Sequence, residues 1–222
     1  MKLTAPRLAI AAALGSVLGT SVPAMAQLEE VIVTAQKREQ GLLDVPISVA
    51  TLSGERFTSM FEGGADIRAL SARVPGLYAE SSNGRVAPRF YIRGLGHIDF
   101  DLAASQPVSI IMDDVVKENV VLKSFPLFDI DRVEVLRGPQ GSLFGRNTTA
   151  GIIKFDSNKP TQDFEGRAKI DVGDLGTVNF EGAVGGGLTD NLSGRVAIVV
   201  QNRDDYIDND YSGECDELGG FE

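Results

Sequence analysis

Twice in this chain an arginine closes a strand-like run just before a glycine, at Tyr91-Ile92-Arg93-Gly94 and at Val133-Glu134-Val135-Leu136-Arg137-Gly138. A guanidinium presents a planar fork that suits carboxylates, and a neighbouring glycine lets the backbone turn or come close to another segment. The chemistry expected of Arg93 and Arg137 is therefore ion pairing. The partner is either local, such as Glu134 or Asp131, or an acidic group supplied by another part of the protein. His97, Asp99 and Asp101 follow Gly94-Leu95-Gly96 at alternate positions. His97 is the sole histidine and Cys215 the sole cysteine, whereas zinc recruits three or four protein ligands. This stretch reads as a solvent-exposed loop and not as a metal site. Enzyme signatures fail in turn: a dinucleotide fingerprint needs glycine at position 99, which is Asp99, no G-x-S-x-G elbow occurs, and one histidine leaves little scope for a Ser/His/Asp triad. No catalytic residue, metal or cofactor is expected. Asn147-Thr148-Thr149 fits a glycosylation sequon but falls where a loop-to-strand turn is expected, and it carries little weight.

The elements that must position these residues follow from pattern. Leu28 to Ala35 is a short extended run, and Gln36-Lys37-Arg38-Glu39-Gln40-Gly41 behind it is polar and ends in a breaker. It reads as a mobile strand on a tether, with no hairpin partner nearby and with backbone groups free to pair with a sheet edge of another protein. An ordinary first strand of the domain is the other reading. Val45–Ala50 is strand-like. Ser53 then offers an N-cap to a short helix with Phe57, Met60 and Phe61 on one face, and Asp66 caps a second with Ile67, Leu70 and Val74. Strand-like segments follow at Leu77–Ser81, Arg89–Arg93, Val108–Met112, Arg132–Leu136 and Gly151–Asp156, separated by Gly, Pro, Asn and Ser. After Pro160 the pattern changes. Ala168, Ile170, Val172, then Val178, Phe180, Val184, then Val196, Ile198, Val200 alternate with polar residues, giving three antiparallel strands with one apolar and one polar face.

Composition bounds the setting. Lys2 and Arg7 precede an apolar stretch to about Leu18, followed by Ala24-Met25-Ala26, the three-part pattern of a cleavable signal peptide. The apolar run is well short of the roughly 20 residues that span a bilayer. With 21 Lys+Arg against 31 Asp+Glu and a formal charge of −10, the surface is unsuited to phosphate, and no nucleic-acid partner is expected. A lone cysteine in an exported chain can form no internal disulfide, so the fold must rest on packing.

In order along the chain, the secretory leader, the Tyr91–Gly96 motif and the run Val133-Glu134-Val135-Leu136-Arg137-Gly138-Pro139-Gln140-Gly141-Ser142-Leu143-Phe144-Gly145-Arg146 resemble TonB-dependent outer-membrane receptors, the resemblance to their plug domain beginning at about residue 28. The fold class expected is an α+β plug, a small mixed sheet with short helices, followed by the first antiparallel strands of a transmembrane β-barrel left incomplete in this chain. The expected divisions are a signal peptide at 1–26, a TonB-box-like segment and tether at 27–41, the plug at 42–160 and barrel strands at 161–222. An open edge is not viable in hydrocarbon, so the chain is expected to be the N-terminal part of a receptor or the product of a truncated gene.

The resemblance implies specific roles. Glu29, Glu30, Val31, Ile32, Val33, Thr34 and Ala35 would bind the periplasmic domain of TonB. Arg93 and Arg137 would pair with acids on the inner barrel wall. His97, Asp99 and Asp101 would lie in a loop facing the ligand. Lipid of the bacterial outer membrane and a ferric siderophore, or another chelate as cargo, complete the partners. A stand-alone periplasmic binding module is the alternative. One departure stands out: Met112-Asp113-Asp114-Val115 carries Asp114 where such receptors commonly have a turn glycine, and aspartate tolerates turn geometry.

Overall fold

The computed structural model describes residues 31–61, 66–81, 86–99, 101 and 104–204. The expected signal peptide, Glu29, Glu30 and Cys215 lie outside the described residues. Ile32–Val33 (β1) pairs antiparallel with Gln40–Gly41 (β2). A 3-10 turn at Leu42–Asp44 leads to Ser48–Ser53 (β3) and a short helix, Gly54–Met60 (α1). The strand expected at Val45–Ala50 thus starts three residues later. Pro46 lacks the N–H that a ladder requires, and pairing with a later strand sets the register instead.

Asp66 caps the next turn as its position predicts. Its carboxylate accepts from the Arg68 N–H at 2.9 Å, ahead of a 3-10 helix at Ile67–Ala72. Leu77–Glu80 (β4), Arg89–Ile92 (β5) and Leu95–Gly96 (β6) form a small antiparallel sheet. Val108–Met112 (β7) and Val115–Lys117 (β8) are a hairpin, followed by a 3-10 turn at Val120–Lys123. Ile130–Arg137 (β9), the single turn Gly141–Phe144 (α2) and Gly151–Ser157 (β10) complete the central sheet. Its strand order is β3-β9-β10-β7-β8, with β10 parallel to β7 and the other neighbours antiparallel.

This sheet is buried on both faces, which is why β7 reads as a nearly unbroken apolar run, whereas β10 carries Lys154 and Asp156 among its apolar residues. On one face Val133, Val135, Ile153 and Phe155 pack with Phe57, Phe61, Ile67, Leu70 and Phe90. On the other, Leu136, Ile111 and Ile152 pack with Val33, Ala35, Val45 and Phe144. Strand alternation then places Glu134 and Lys154, neighbours in register across β9 and β10, on the second face, the one covered by the N-terminal segment.

The Asp113-Asp114 turn of the β7–β8 hairpin has φ of +47° and +65°, the two positive values that a type I′ turn requires. Asp113 also accepts from the Ser157 backbone N–H at 2.9 Å and lies 2.9 Å from its hydroxyl. Asp114 has no such compensation among the described residues. Replacing Asp114 with glycine removes a left-handed penalty of about 1 kcal/mol, so a slight rise in the urea midpoint is the expected result. No change would mean that Asp114 holds this conformation without strain.

Glu165–Val172 (β11), Val178–Thr189 (β12) and Leu192–Asn202 (β13) form the antiparallel meander. Cross-strand register aligns Ile170, Phe180 and Val200 in one row, and all three are exposed. Val172, Val178, Val184, Val196 and Ile198 are exposed with them, whereas Asn179 and Ala183 are buried. Apolar side chains therefore point away from the rest of the molecule, and the described strands do not close into a barrel.

Candidate functional site

Of the strand expected at Leu28–Ala35, the described residues Ile32–Ala35 are docked on the domain, which is the ordinary first strand of the two readings and not the mobile one. Its hairpin partner lies within the stretch read as a tether. Lys37 adopts φ +58° and its N–H donates to the Thr34 carbonyl at 2.9 Å, which closes a turn and returns Gln40–Gly41 alongside Ile32–Val33. Val33 and Ala35 are fully buried, while Val31 and Ile32 stay exposed.

Thr34 sits over four charged side chains. Its backbone N–H donates to Glu134 Oε1 at 2.6 Å. Its hydroxyl accepts from Lys154 Nζ at 2.9 Å and lies 3.3 Å from both Glu134 Oε1 and Asp156 Oδ2, one of which takes its proton. Lys154 also donates to Asp156 at 2.7 Å. Arg132 lies 3.5 Å from Asp156 and donates to the Ile32 carbonyl at 3.2 Å. Glu134 has no exposed surface. Burial pushes its pKa up, and the Thr34 N–H bond and the Lys154 and Arg132 charges pull it back. Two cations and two carboxylates balance, so the cluster is neutral as a unit.

Arg93 and Arg137 are placed differently from a local ion pair. Arg93 is exposed with φ +53°, and Arg137 donates to Ser48 Oγ at 3.2 Å. Neither closes an ion pair among the described residues. Asp131 and Glu134, the local partners considered for them, instead face Arg132, at 3.4 and 4.0 Å. Both guanidiniums lie at strand ends, available to groups beyond the described residues.

His97 is buried and not on an exposed loop, being 4% accessible. The Tyr91 hydroxyl lies 2.7 Å from the His97 carbonyl and 2.6 Å from Glu80 Oε1, with one proton for two acceptors. Burial and the Glu80 contact together push the Tyr91 pKa up. The Tyr91 ring packs on Gly96, which leaves no room there for a side chain, and this holds the chain down at His97. Asp99 and Asp101 are exposed, and Asp99 accepts from the Asp101 N–H at 3.0 Å.

Two arrangements are not foreshadowed by any local pattern in the sequence. Where residues 104–107 lead into β7, Gln106, Ser109, Glu118, Asn119, Lys123 and Arg146 line a polar cavity of about 290 Å³. Lys123 is buried there, donating to Gln106 Oε1 at 2.9 Å, and loss of hydration pulls its pKa down to about 8. The second arrangement joins the central sheet to the meander. Asp129 accepts from Arg195 Nε at 2.9 Å, Arg195 Nη2 at 2.6 Å and Asn158 Nδ2 at 3.0 Å, and Arg167 lies 3.9 Å away. The Arg195 hydrogen bonds hold the Asp129 carboxyl below the usual range.

The fold is thus a mixed five-stranded sheet buried on both faces, with a docked N-terminal strand and an outward-apolar meander joined to it through Asp129 and Arg195. The family model for the TonB-dependent receptor plug domain matches residues 41–152, and the chain belongs to that family. It is 28% identical over 211 residues to the ferrioxamine B receptor of Salmonella typhimurium, covering 89% of this chain and 29% of the relative. It is 22% identical over 180 residues to the vitamin B12 transporter of Photobacterium profundum, covering 79% and 28%. The fold matches the pyoverdine outer membrane receptor of Pseudomonas aeruginosa with TM-score 0.66 at 22% identity, over 80% of this chain and 25% of that one. The chain thus spans 29% or less of the length of these relatives.

Proposed function

We propose that this chain is the plug and opening barrel strands of an energy-coupled outer-membrane receptor that imports a scarce chelate, a ferric siderophore in first place. The observation that carries this reading is the Asp129–Arg195 join. It sets the polar face of the meander against the plug and leaves Ile170, Val172, Phe180 and Val200 facing outward, as a lipid-facing barrel wall requires. The names of the relatives point to chelated-metal cargo, a ferrioxamine and vitamin B12 among them.

No bond is made or broken in this role. Cargo held outside shifts the plug toward a state in which the strand ending at Ala35 is free, and it does so only by its differential affinity for the two states. TonB then pairs with that strand and pulls. Arg93 and Arg137, without ionic partners among the described residues, pair with carboxylates on the inner barrel wall. Asp99, Asp101 and the cavity around Lys123 lie on the cargo side.

A peptide spanning Leu28–Gln40 is expected to bind the periplasmic domain of TonB, as measured by isothermal titration calorimetry. Absence of binding while a known TonB-box peptide binds in the same buffer overturns the role given to Glu29–Ala35. Recovery of the native protein as a soluble monomer after membrane fractionation overturns the receptor reading as a whole.

A further inference from the structure

A strand can recruit a second protein's sheet edge only when its own backbone groups are free. Here they are occupied. Ile32 and Val33 are paired with β2, Arg132 holds the Ile32 carbonyl, and Glu134 holds the Thr34 N–H. The anchoring is mostly polar, since Val33 and Ala35 are the fully buried side chains in the segment and both are small.

A buried charge cluster is a poor source of stability compared with apolar packing of similar volume, but breaking one member of it is costly. Such a contact is either closed, with each charged side chain facing an opposite charge, or open with water admitted. We propose that Thr34, clamped by Glu134 and Lys154 on the face of the central sheet, is the latch that withholds residues 32–35 from a strand-pairing partner. This deepens the reading of residues 29–35 as the TonB-binding strand and rests on it.

The cluster lies on the two strands best placed to report on the rest of the plug. Glu134 is on β9, three residues before Arg137, and Lys154 is on β10, three residues after Gly151. One oxygen of Glu134, Oε2, is buried without a hydrogen-bond partner among the described residues. Its companion Oε1 takes the Thr34 N–H. Departure of Thr34 removes the hydrogen bond that offsets burial of the carboxylate, so the open state has to admit water. Partner binding and latch closure then compete for the same backbone groups.

The test is hydrogen exchange at the Val33, Thr34 and Ala35 amides in the full chain, with Thr34→Val, Thr34→Ser and Lys154→Met. Thr34→Val keeps the shape and the backbone N–H but deletes the hydroxyl. Exchange at these amides is expected to rise by about tenfold, the worth of one or two net hydrogen bonds, with core amides of β9 and β10 unchanged. Thr34→Ser, which retains the hydroxyl, stays near wild type, and Lys154→Met exceeds Thr34→Val. Because Lys154→Met can disturb folding, far-UV circular dichroism accompanies each variant, and Thr34→Val is the deciding substitution. Unchanged exchange in folded Thr34→Val overturns the latch. Binding of the TonB periplasmic domain is measured on the same variants as a separate readout. A rise in exchange without a gain in binding upholds the latch and counts instead against the partner assigned to this strand.

Discussion

Replacing Asp129 with alanine should lower the unfolding free energy by about 3 kcal/mol, the lower end of the cost of stripping one partner from a buried ion pair. The geometry favours a large effect. The Asp129 side chain is 9% exposed and that of Arg195 is 13% exposed, so the charge left behind on Arg195 cannot rehydrate fully. Its remaining carboxylate neighbour is Glu165, 3.8 Å away and more than half exposed. Asn158 loses its side-chain acceptor at the same time. Replacing Arg195 with methionine in the same chain should recover part of the loss, because the orphaned charge is then gone. Urea denaturation of the two single variants and the double variant in one detergent measures this. A loss below 1 kcal/mol for Asp129→Ala would put the pair with ordinary surface salt bridges and remove the main join between plug and meander.

The same contact sets an acid sensitivity. The folded-state pKa of Asp129 lies below its unfolded value, since Arg195 and Asn158 favour the carboxylate. The folded state therefore binds protons less readily, and the contribution to stability is complete above the unfolded value of about 4. It is lost progressively as pH falls from there through the depressed folded value. Asp129→Asn should flatten the stability profile in that window and leave it unchanged in shape above about pH 5.

Strands were legible in this sequence where one rule governed them. The period-two alternation of Ile170–Val172, Val178–Val184 and Val196–Val200 located the meander because one physical demand, an apolar face beside a polar one, controls every position. The run Val108–Met112 was legible because a strand covered on both faces is mostly apolar, here with Ser109 as its one polar side chain, donating to the Asn147 carbonyl. The N-terminal hairpin was not, because Gln40–Gly41 has neither alternation nor branched side chains. It is a strand only because the turn at Lys37 brings it beside Ile32–Val33. His97 was misplaced for a related reason. A polar residue after two glycines reads as loop, and nothing local announces that its carbonyl meets the hydroxyl of Tyr91 six residues earlier. The Thr34 cluster needs residues 34, 132, 134, 154 and 156 together, and Asp129 meets Arg195 across 66 positions. No local spacing encodes either meeting. Both exist only once the strand order β3-β9-β10-β7-β8 and the return of the meander are known.

Gly151→Ala is expected to be the most damaging single-methyl change in the plug. Gly151 opens β10 at φ +149°, a conformation that L side chains rarely adopt. It is wedged between Val108 on β7 and Arg137 on β9. A Cβ there would collide with the Leu136 carbonyl oxygen and come within 2.9 Å of Ile92 Cδ1. Ile92 can change rotamer. The Leu136 carbonyl belongs to the backbone of β9, paired on both sides by β3 and β10, and cannot swing away. The neighbouring peptide groups are pinned too, with the Ala150 N–H donating to Pro107 and the Gly138 N–H to Ala150, each at 2.9 Å. Backbone strain and overpacking each cost about 1–3 kcal/mol, so a loss of about 4 kcal/mol is expected, a large share of the 5–15 kcal/mol that typically holds a domain together. Gly141→Ala serves as the control, since its new methyl would meet only the Thr148 hydroxyl at an ordinary 3.9 Å, and its effect should stay within about 0.5 kcal/mol. Relief of the clash has to displace β10 relative to β9, and β10 carries Lys154 and Asp156. Hydrogen exchange of the 33–35 amides in Gly151→Ala should therefore accelerate at urea concentrations where the rest of the central sheet is still protected. Acceleration that appears only together with global unfolding would mean that the N-terminal strand takes its stability from the domain as a whole and receives no separate signal through β10.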